Sequence, residues 1–324
     1  MGEISSQIKN ADPVTVSKGK QKKPLSDTWY SILLITPAML IIGFFALFPL
    51  FYAINIAFRF ADLTSPIGIG GFVGLDNFRF ALNDRFFWSS VRVTVLFTIS
   101  AVSIEMVLGI SIAFLLHGAK WFKGILRSVL LLPLASAPAA VGLIWRYMYH
   151  PEFGVYGYYL NHNPIAQRFL SSEINLLGNL KLALPSVILF DIWQWTPFVA
   201  IITLAALQSL PKEPFEAAEL DGATTFQILR RLTFPMLAPV LTLVFLLRTI
   251  DALRLYDAVY SLTRGGPGTV TETLTFYLYR LGLVQFRMDQ ASAIALLFLY
   301  VSIIITIIAL RWLSRYRSKQ TILR

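Results

Sequence analysis

Residues Ala293–Leu310 read AIALLFLYVSIIITIIAL, eighteen positions with no charge, no proline and no glycine. A helix rises about 1.5 Å per residue, and crossing about 30 Å of hydrocarbon takes roughly 20 mostly apolar residues. Widened to Gln290–Arg311, this stretch is long enough to cross, and it is apolar on every side rather than along one stripe. Working back along the chain, five more segments meet the same test: Ser31–Phe58, which contains ILLITPAMLIIGFFALFPLF, Val91–Leu116, Ile125–Tyr149, Leu182–Leu207 and Phe234–Ile250. The fifth is the weakest. Its uncharged run stops at Arg248, and it continues to Tyr256 only if neighbouring helices shelter Arg248, Asp251 and Arg254. The expected fold is all-α, a polytopic membrane protein with six transmembrane helices at about 31–58, 91–116, 125–149, 182–207, 234–256 and 290–311.

Composition agrees. Apolar residues make up 56% of the 324 and charged residues 14%, against about 45–50% and about 25% in soluble domains. That balance excludes a soluble enzyme and a disordered chain. The absence of cysteine excludes a disulfide framework, a thiolate metal site and a Cys nucleophile. A net charge of +10 raises the question of nucleic acid, but the basic residues lie beside apolar segments, so none is expected as a partner; the lipid bilayer is.

The basic residues also set an orientation. With six spans, both termini share a side with the second and fourth loops, and that side holds sixteen Lys and Arg against nine in the three opposite loops. The excess marks the cytoplasmic face, so both termini are expected inside. Residues 1–28 form a basic cytoplasmic tail, with Lys9, Lys18, Lys20, Lys22 and Lys23 lying against anionic lipid. Residues 29–317 form the membrane domain, and 318–324 a second short tail. The first apolar run is long enough to stay as a span, so no cleaved signal peptide is expected.

The fourth loop, Gln208–Phe234, reads QSLPKEPFEAAELDGATTFQILRRLTF. Pro211 and Pro214 suit a helix start, and Glu213, Glu216 and Glu219 sit where the positive end of the helix dipole favours them. Gly222 can end the helix. The product is a short cytoplasmic helix presenting Ala217, Ala218 and Ala223, small enough for a partner to come close.

Glu216-Ala217-Ala218, then Gly222, then Pro235 thirteen residues further on, resembles the EAA loop of ATP-binding-cassette importer permeases, whose pattern is EAA, three residues, Gly, nine residues, Ile-x-Leu-Pro. Here Leu232 and Phe234 replace the Ile and Leu, both apolar exchanges. Asp221 and Ala223 complete EAAELDGA, a form similar to that of the carbohydrate-uptake branch. The resemblance extends from about Trp29 to Arg317, with GLDNF (Gly74–Phe78), the LLP of Leu131–Pro133, and SLTRGGPG (Ser261–Gly268). The last is similar to the first permease of a pair in maltose-type and glycerol-phosphate-type importers. The extra spans and large external domain of the maltose-type subunit are absent. The resemblance implies a type I importer permease in a prokaryotic plasma membrane, translocating a sugar or related polyol. It implies three partners: a second EAA-type permease forming a heterodimer, an ATP-binding-cassette ATPase holding the ATP and Mg, and an extracytoplasmic solute-binding protein. Glu216, Ala217, Ala218, Asp221, Gly222, Ala223 and Pro235 would then belong to the ATPase-coupling loop, and this chain would bind no cofactor itself.

Polar groups inside a bilayer are costly and turn to a cavity or a partner. In the fourth span Asp191, Trp193, Gln194 and Trp195 interrupt the apolar run, and Pro197 is expected to break or kink the helix. A carboxylate, an amide and two indoles suit a sugar, with rings against CH faces and polar groups on hydroxyls, and the segment matches the span that contributes to the sugar site of the maltose-type relative. Alternatively Asp191 pairs with a base such as Arg248 for packing alone. In the fifth span Arg248, Asp251, Arg254 and Tyr256 form a second polar group. Arg248 and Asp251 stand three apart and can neutralise each other. Glu105, alone in the second span, reads as a structural contact rather than a proton relay. Pro133, Ser136 and Pro138 make the third span irregular.

There is no G-x-x-x-x-G-K-[ST] loop for nucleotide phosphates, and His117, His150 and His162 are too dispersed for a catalytic or metal cluster. Catalysis by this chain is not expected, so the energy must come from another subunit. An ion-coupled carrier is the alternative transport class, and it often shows inverted repeats; none is visible. A membrane enzyme on lipid-linked substrates would need an acidic or His cluster at an interface, and none is present.

Overall fold

The computed structural model describes residues 27–64, 66–119, 123–164, 168 and 174–321. The basic N-terminal tail, Lys120 and the last three residues lie outside them. Two compact units are defined, residues 1–52 and 53–324.

Helix α1 runs Asp27–Ala57 through Pro37 and Pro49. From Trp29 to Pro49 every residue but Gly43 is exposed, and the run is almost wholly apolar. Such a surface is stable in hydrocarbon and not in water.

In the second unit a two-stranded antiparallel ribbon, β1 (Arg59–Asp62) and β2 (Gly68–Phe72), follows. The sequence reading had only an external loop here. Asn77, in the GLDNF segment, is buried and donates from Nδ2 to the carbonyls of Ala57 at 2.9 Å and Arg59 at 2.8 Å, pinning the ribbon to the end of α1. Asn77 belongs to α2 (Asp76–Asn83), and α3 (Arg85–Gly118) comes next, its first turn capped by the Asp84 carboxylate on the Phe86 N–H.

The third crossing is two helices rather than one. α4 (Lys123–Ala135) and α5 (Pro138–Met148) meet at 96°. Pro138 has no N–H to continue the ladder and forces Ala137 out of helical geometry; Ala137 is extended, at φ −68° and ψ 122°. A short α6 (Val155–His162) precedes α7 (Ala183–Gln208), which runs on through Pro197; of the break or kink expected there, the break does not occur.

α8 (Glu213–Leu220) is the short helix of the fourth loop. α9 (Thr225–Ile228) passes through a π turn at Leu229–Thr233 directly into α10 (Phe234–Leu253). The fifth crossing therefore starts before Pro235, because the wider turn tolerates the missing N–H. It stops at Leu253 rather than Tyr256.

Residues 257–289 were expected as an outer loop. They instead fold inward as α11 (Asp257–Leu262) and α12 (Leu274–Tyr279), ahead of α13 (Met288–Thr321). Ala258, Val259, Leu262 and Phe276 join Phe97, Trp145 and Phe190 in the main core. α3 and α7 pack along their length, close enough that a Cβ on Gly109 would stand 2.5 Å from Cβ of Val199. Among the described residues five helices are long and apolar enough to cross a membrane, and the bent pair taken as one span makes the six that the sequence reading expected.

Candidate functional site

The polar residues of the second, fourth and fifth crossings converge on one guanidinium. Arg248 of α10 is 1% exposed. Its Nε donates to Glu105 Oε2 at 2.6 Å and its Nη2 to Glu105 Oε1 at 2.9 Å, a two-pronged grip from α3. Nη2 also donates to Asp191 Oδ2 of α7 at 2.5 Å, and Nη1 to Asp251 Oδ2 at 2.6 Å. The Trp195 ring lies 4.8 Å from the guanidinium carbon, a cation–π contact.

Four of the five guanidinium N–H groups are thus placed, and three helices are tied at a point where bare charge could not persist. Glu105 is a structural contact, as the sequence reading had it. The local Arg248–Asp251 pair forms, but the two buried carboxylates of other helices are the stronger partners, because Asp251 is 52% exposed at its side chain. With every carboxylate ionised the cluster carries three negative charges to one positive.

Asp191 answers both readings offered for it. One oxygen is held by Arg248, and the residue also borders a cavity of about 80 Å³ with Gln194, Trp195, Asp251, Arg254 and Tyr256. Gln194 is 2% exposed. Its Nε2 reaches the Ser136 carbonyl at 3.5 Å, in the break between α4 and α5, and its Oε1 is buried without a partner. A buried unpaired acceptor is costly, so a hydroxyl or ammonium donor entering this cavity would be held there.

Trp193 is not part of that cavity. Successive helix residues turn by about 100°, and Trp193 faces the other way, into a larger cavity of about 710 Å³ bordered by Trp145, Met148, Tyr156, Ile192 and Pro133. The Trp145 and Trp193 rings stand 5.3 Å apart, and Trp145 stacks on Tyr156 at 5.6 Å. The bent pair α4–α5 forms one wall. The four residues read as one lining are therefore divided between a small polar cavity and a broad aromatic one.

The fourth-loop helix stands apart from the core. No residue of α8 is buried, Pro214 and two acidic residues occupy its first turn, and Gly222 terminates it at φ +75°. The Ala223 N–H then donates to the Ala218 carbonyl at 2.9 Å, closing the orphaned last turn. Glu216, Ala217 and Asp221 are exposed, Ala218, Ala223 and Pro235 half-buried. Two features escaped the sequence reading. Leu220 is 90% exposed and Phe226 68%, apolar knobs either side of the turn. Thr224 and Gln227 form a reciprocal capping box, legible as T-x-x-Q before an apolar run.

In the segment SLTRGGPG, Ser261 and Leu262 close α11 and a tight turn follows. Arg264, Gly265 and Gly268 take positive φ, and Thr271 Oγ1 donates to the Gly266 carbonyl at 2.8 Å.

Residues 105–319 match the family model described as binding-protein-dependent transport system inner membrane component. The chain is 34% identical to a probable ABC transporter permease protein of Sinorhizobium fredii, over 91% of this chain and 92% of that one. It is 37% identical to the trehalose/maltose transport system permease protein MalF of Thermococcus litoralis, over 76% and 81%. Among solved structures, a bacterial ABC transporter that imports the polysaccharide alginate superposes with a TM-score of 0.74, covering 89% of this chain and 96% of that one at 21% identity. The chain belongs to the family of inner-membrane permeases of binding-protein-dependent transport systems.

Proposed function

We propose that this chain is the first permease of a heterodimeric importer for a sugar or related polyol. It works with a second permease that also bears an EAA helix, an ATP-binding-cassette ATPase, and an external solute-binding protein. ATP and Mg are bound and ATP is hydrolysed on the ATPase; this chain holds no cofactor and performs no chemistry. Both termini and α8 lie in the cytoplasm, on the side with the basic excess.

The observation that carries the reading is α8 itself. It is a helix with acidic residues at its start, small Ala217 and Ala218 on its flank, an apolar Leu220 at its tip, and no residue buried. Apolar surface left open on a cytoplasmic loop asks for a protein groove. The carbohydrate class is supported by the trehalose/maltose relative and by the rings at Trp145, Trp193 and Tyr156, since aromatic faces stack on sugar CH groups.

The test is coupling in the reconstituted complex. Ala218→Trp blocks close approach and Leu220→Asp removes the apolar tip. Each is expected to lower uptake and binding-protein-stimulated ATP hydrolysis roughly tenfold or more, as loss of an interface hot spot does, with insertion and abundance unchanged. Stimulation equal to wild type in both variants would overturn the reading.

A further inference from the structure

Away from both cavities, a groove of about 240 Å³ opens sideways between α3, α12 and α13. Buried Leu253 and Leu274 border it, with Val91, Val95, Leu297 and Phe298 beside them. Its polar borders are the Trp88 indole and Thr94, whose hydroxyl donates to the Ser90 carbonyl at 2.8 Å and accepts the Leu274 N–H at 2.8 Å. Neither the Thr94 hydroxyl nor the Trp88 indole N–H is therefore free to donate a hydrogen bond to an incoming group.

The end of α3 beside this groove is cationic. Arg85, Trp88 and Arg92 fall in one row, because steps of three and four residues bring helix side chains into line. Trp88 and Val95 of the same face border the groove, so Arg92 stands between two of its residues. All three of Arg85, Trp88 and Arg92 are exposed. Among the described residues no carboxylate lies within ion-pair distance of Arg85 or Arg92. The nearest acid in sequence, Asp84, is engaged in capping Phe86 and in accepting from the Tyr277 hydroxyl. Trp88 is fixed, its Nε1 donating to the Leu82 carbonyl at 2.8 Å.

Helix side chains lean towards the N-terminus, which carries the Arg92 guanidinium over Trp88 towards Arg85. An indole between two uncompensated guanidiniums, at the end of an apolar groove, has the chemistry of the headgroup boundary. We propose that this groove is a lipid site. It takes one acyl chain of a phospholipid with an anionic headgroup, whose phosphate sits between Arg85 and Arg92. A protein helix is a poorer fit, since neither polar group bordering the groove is free to donate and the flanking charges are of a single sign.

The experiment compares phosphatidylglycerol with phosphatidylcholine retained by the purified complex after stepwise delipidation, read by native mass spectrometry. Wild type is expected to keep phosphatidylglycerol preferentially. Replacing Arg85 and Arg92 together with Gln should reduce that preference by about fivefold per guanidinium, the effect of one basic residue near an anionic surface. Val95→Trp, which fills the groove, should lower retention of both lipids. Both variants change exposed positions, and size-exclusion of the assembled complex checks that they fold. Equal retention of the two lipids by wild type, or unchanged phosphatidylglycerol in both variants, would overturn the site. A partner subunit in the groove is the other way to fail: the chain has no cysteine, so Val95→Cys and Val301→Cys can be tested for cross-linking to the second permease. Efficient cross-linking from both positions refutes lipid occupancy, and its absence supports it.

Discussion

Arg248 and the α8 helix deal with unfavourable groups in opposite ways. Arg248 buries a full charge and finds every counter-charge within its own chain, from Glu105 and Asp191 on other crossings and Asp251 one turn on. α8 buries nothing and leaves Leu220 at 90% exposure. A helix of eight residues is marginal alone; this one is held by Pro214 at its start and Gly222 at its end. The difference separates two tasks. Around Arg248 the chain ties its own helices together, and at α8 it presents a surface to be completed by something else.

The comparison breaks first if Arg248 is dispensable. Arg248→Met removes the cation paired with all three carboxylates and is expected to destabilise by about 3–5 kcal/mol, the cost of breaking a buried pair. Thermal unfolding of the detergent-solubilised complex reads this. Adding Glu105→Gln and Asp191→Asn to the Met variant should recover part of the loss, because no buried charge is then left uncompensated. A Met variant that melts with wild type would show the cluster to be ornamental. Asp251→Asn should do little, since Asp251 is half exposed and exposed pairs contribute about 0–1 kcal/mol.

At α8 the expected pattern is reversed. Gly222→Val puts a side chain at φ +75°, and the left-handed region costs a non-glycine residue roughly 1–2 kcal/mol. The space around Gly222 is open, so the strain should fray the turn without disturbing the crossings. Uptake is expected to fall while the melting temperature of the membrane domain holds. A drop in melting comparable to that of Arg248→Met would mean that α8 is part of the core after all.

These two regions were not equally legible in the sequence. The crossings follow from apolar length alone, and α8 from local signals: prolines, early acids and a terminal glycine. Arg248–Asp251 was legible because it is three residues long. The pairing of Arg248 with Glu105 and Asp191 spans 143 and 57 residues, and no periodicity carries that distance. Sequence offered Arg248 as a base for Asp191, beside a substrate role for that carboxylate, and named no partner for Glu105. The bend near Ser136 was announced by Pro133 and Pro138, its 96° was not. The inward folding of 257–289 went unread because short helices in a Thr- and Tyr-rich segment leave little 3.6-residue pattern. Reading Trp193 with Gln194 failed for a simpler reason: neighbours in sequence on a helix face different ways.

Gln194 sharpens the comparison from within the cavity. Gln194→Leu removes an unpartnered acceptor and a 3.5 Å contact to Ser136, so the stability change should stay within about 1 kcal/mol. If the cavity holds a substrate hydroxyl, uptake falls at unchanged abundance. Normal uptake with normal abundance would make Gln194 packing and shift the path to the aromatic cavity around Trp193.

The smallest expected effect concerns Glu272, between the fifth and sixth crossings. It is 2% exposed and accepts from Arg280 Nε at 2.6 Å. Burial raises its pKa above the ordinary carboxylate value, and this outweighs the lowering by Arg280. A carboxyl whose folded pKa is raised favours the folded state most when protonated. Its contribution is complete below the unfolded pKa and is lost as pH climbs through the raised folded value. Stability of the complex should therefore decline slightly as pH rises out of the ordinary carboxylate range. Glu272→Gln cannot titrate and still offers Arg280 an acceptor, so the variant should lose that decline. Melting temperatures of both proteins across mildly acidic to neutral pH decide it: parallel curves would mean that the Arg280 pair, not burial, governs this carboxylate.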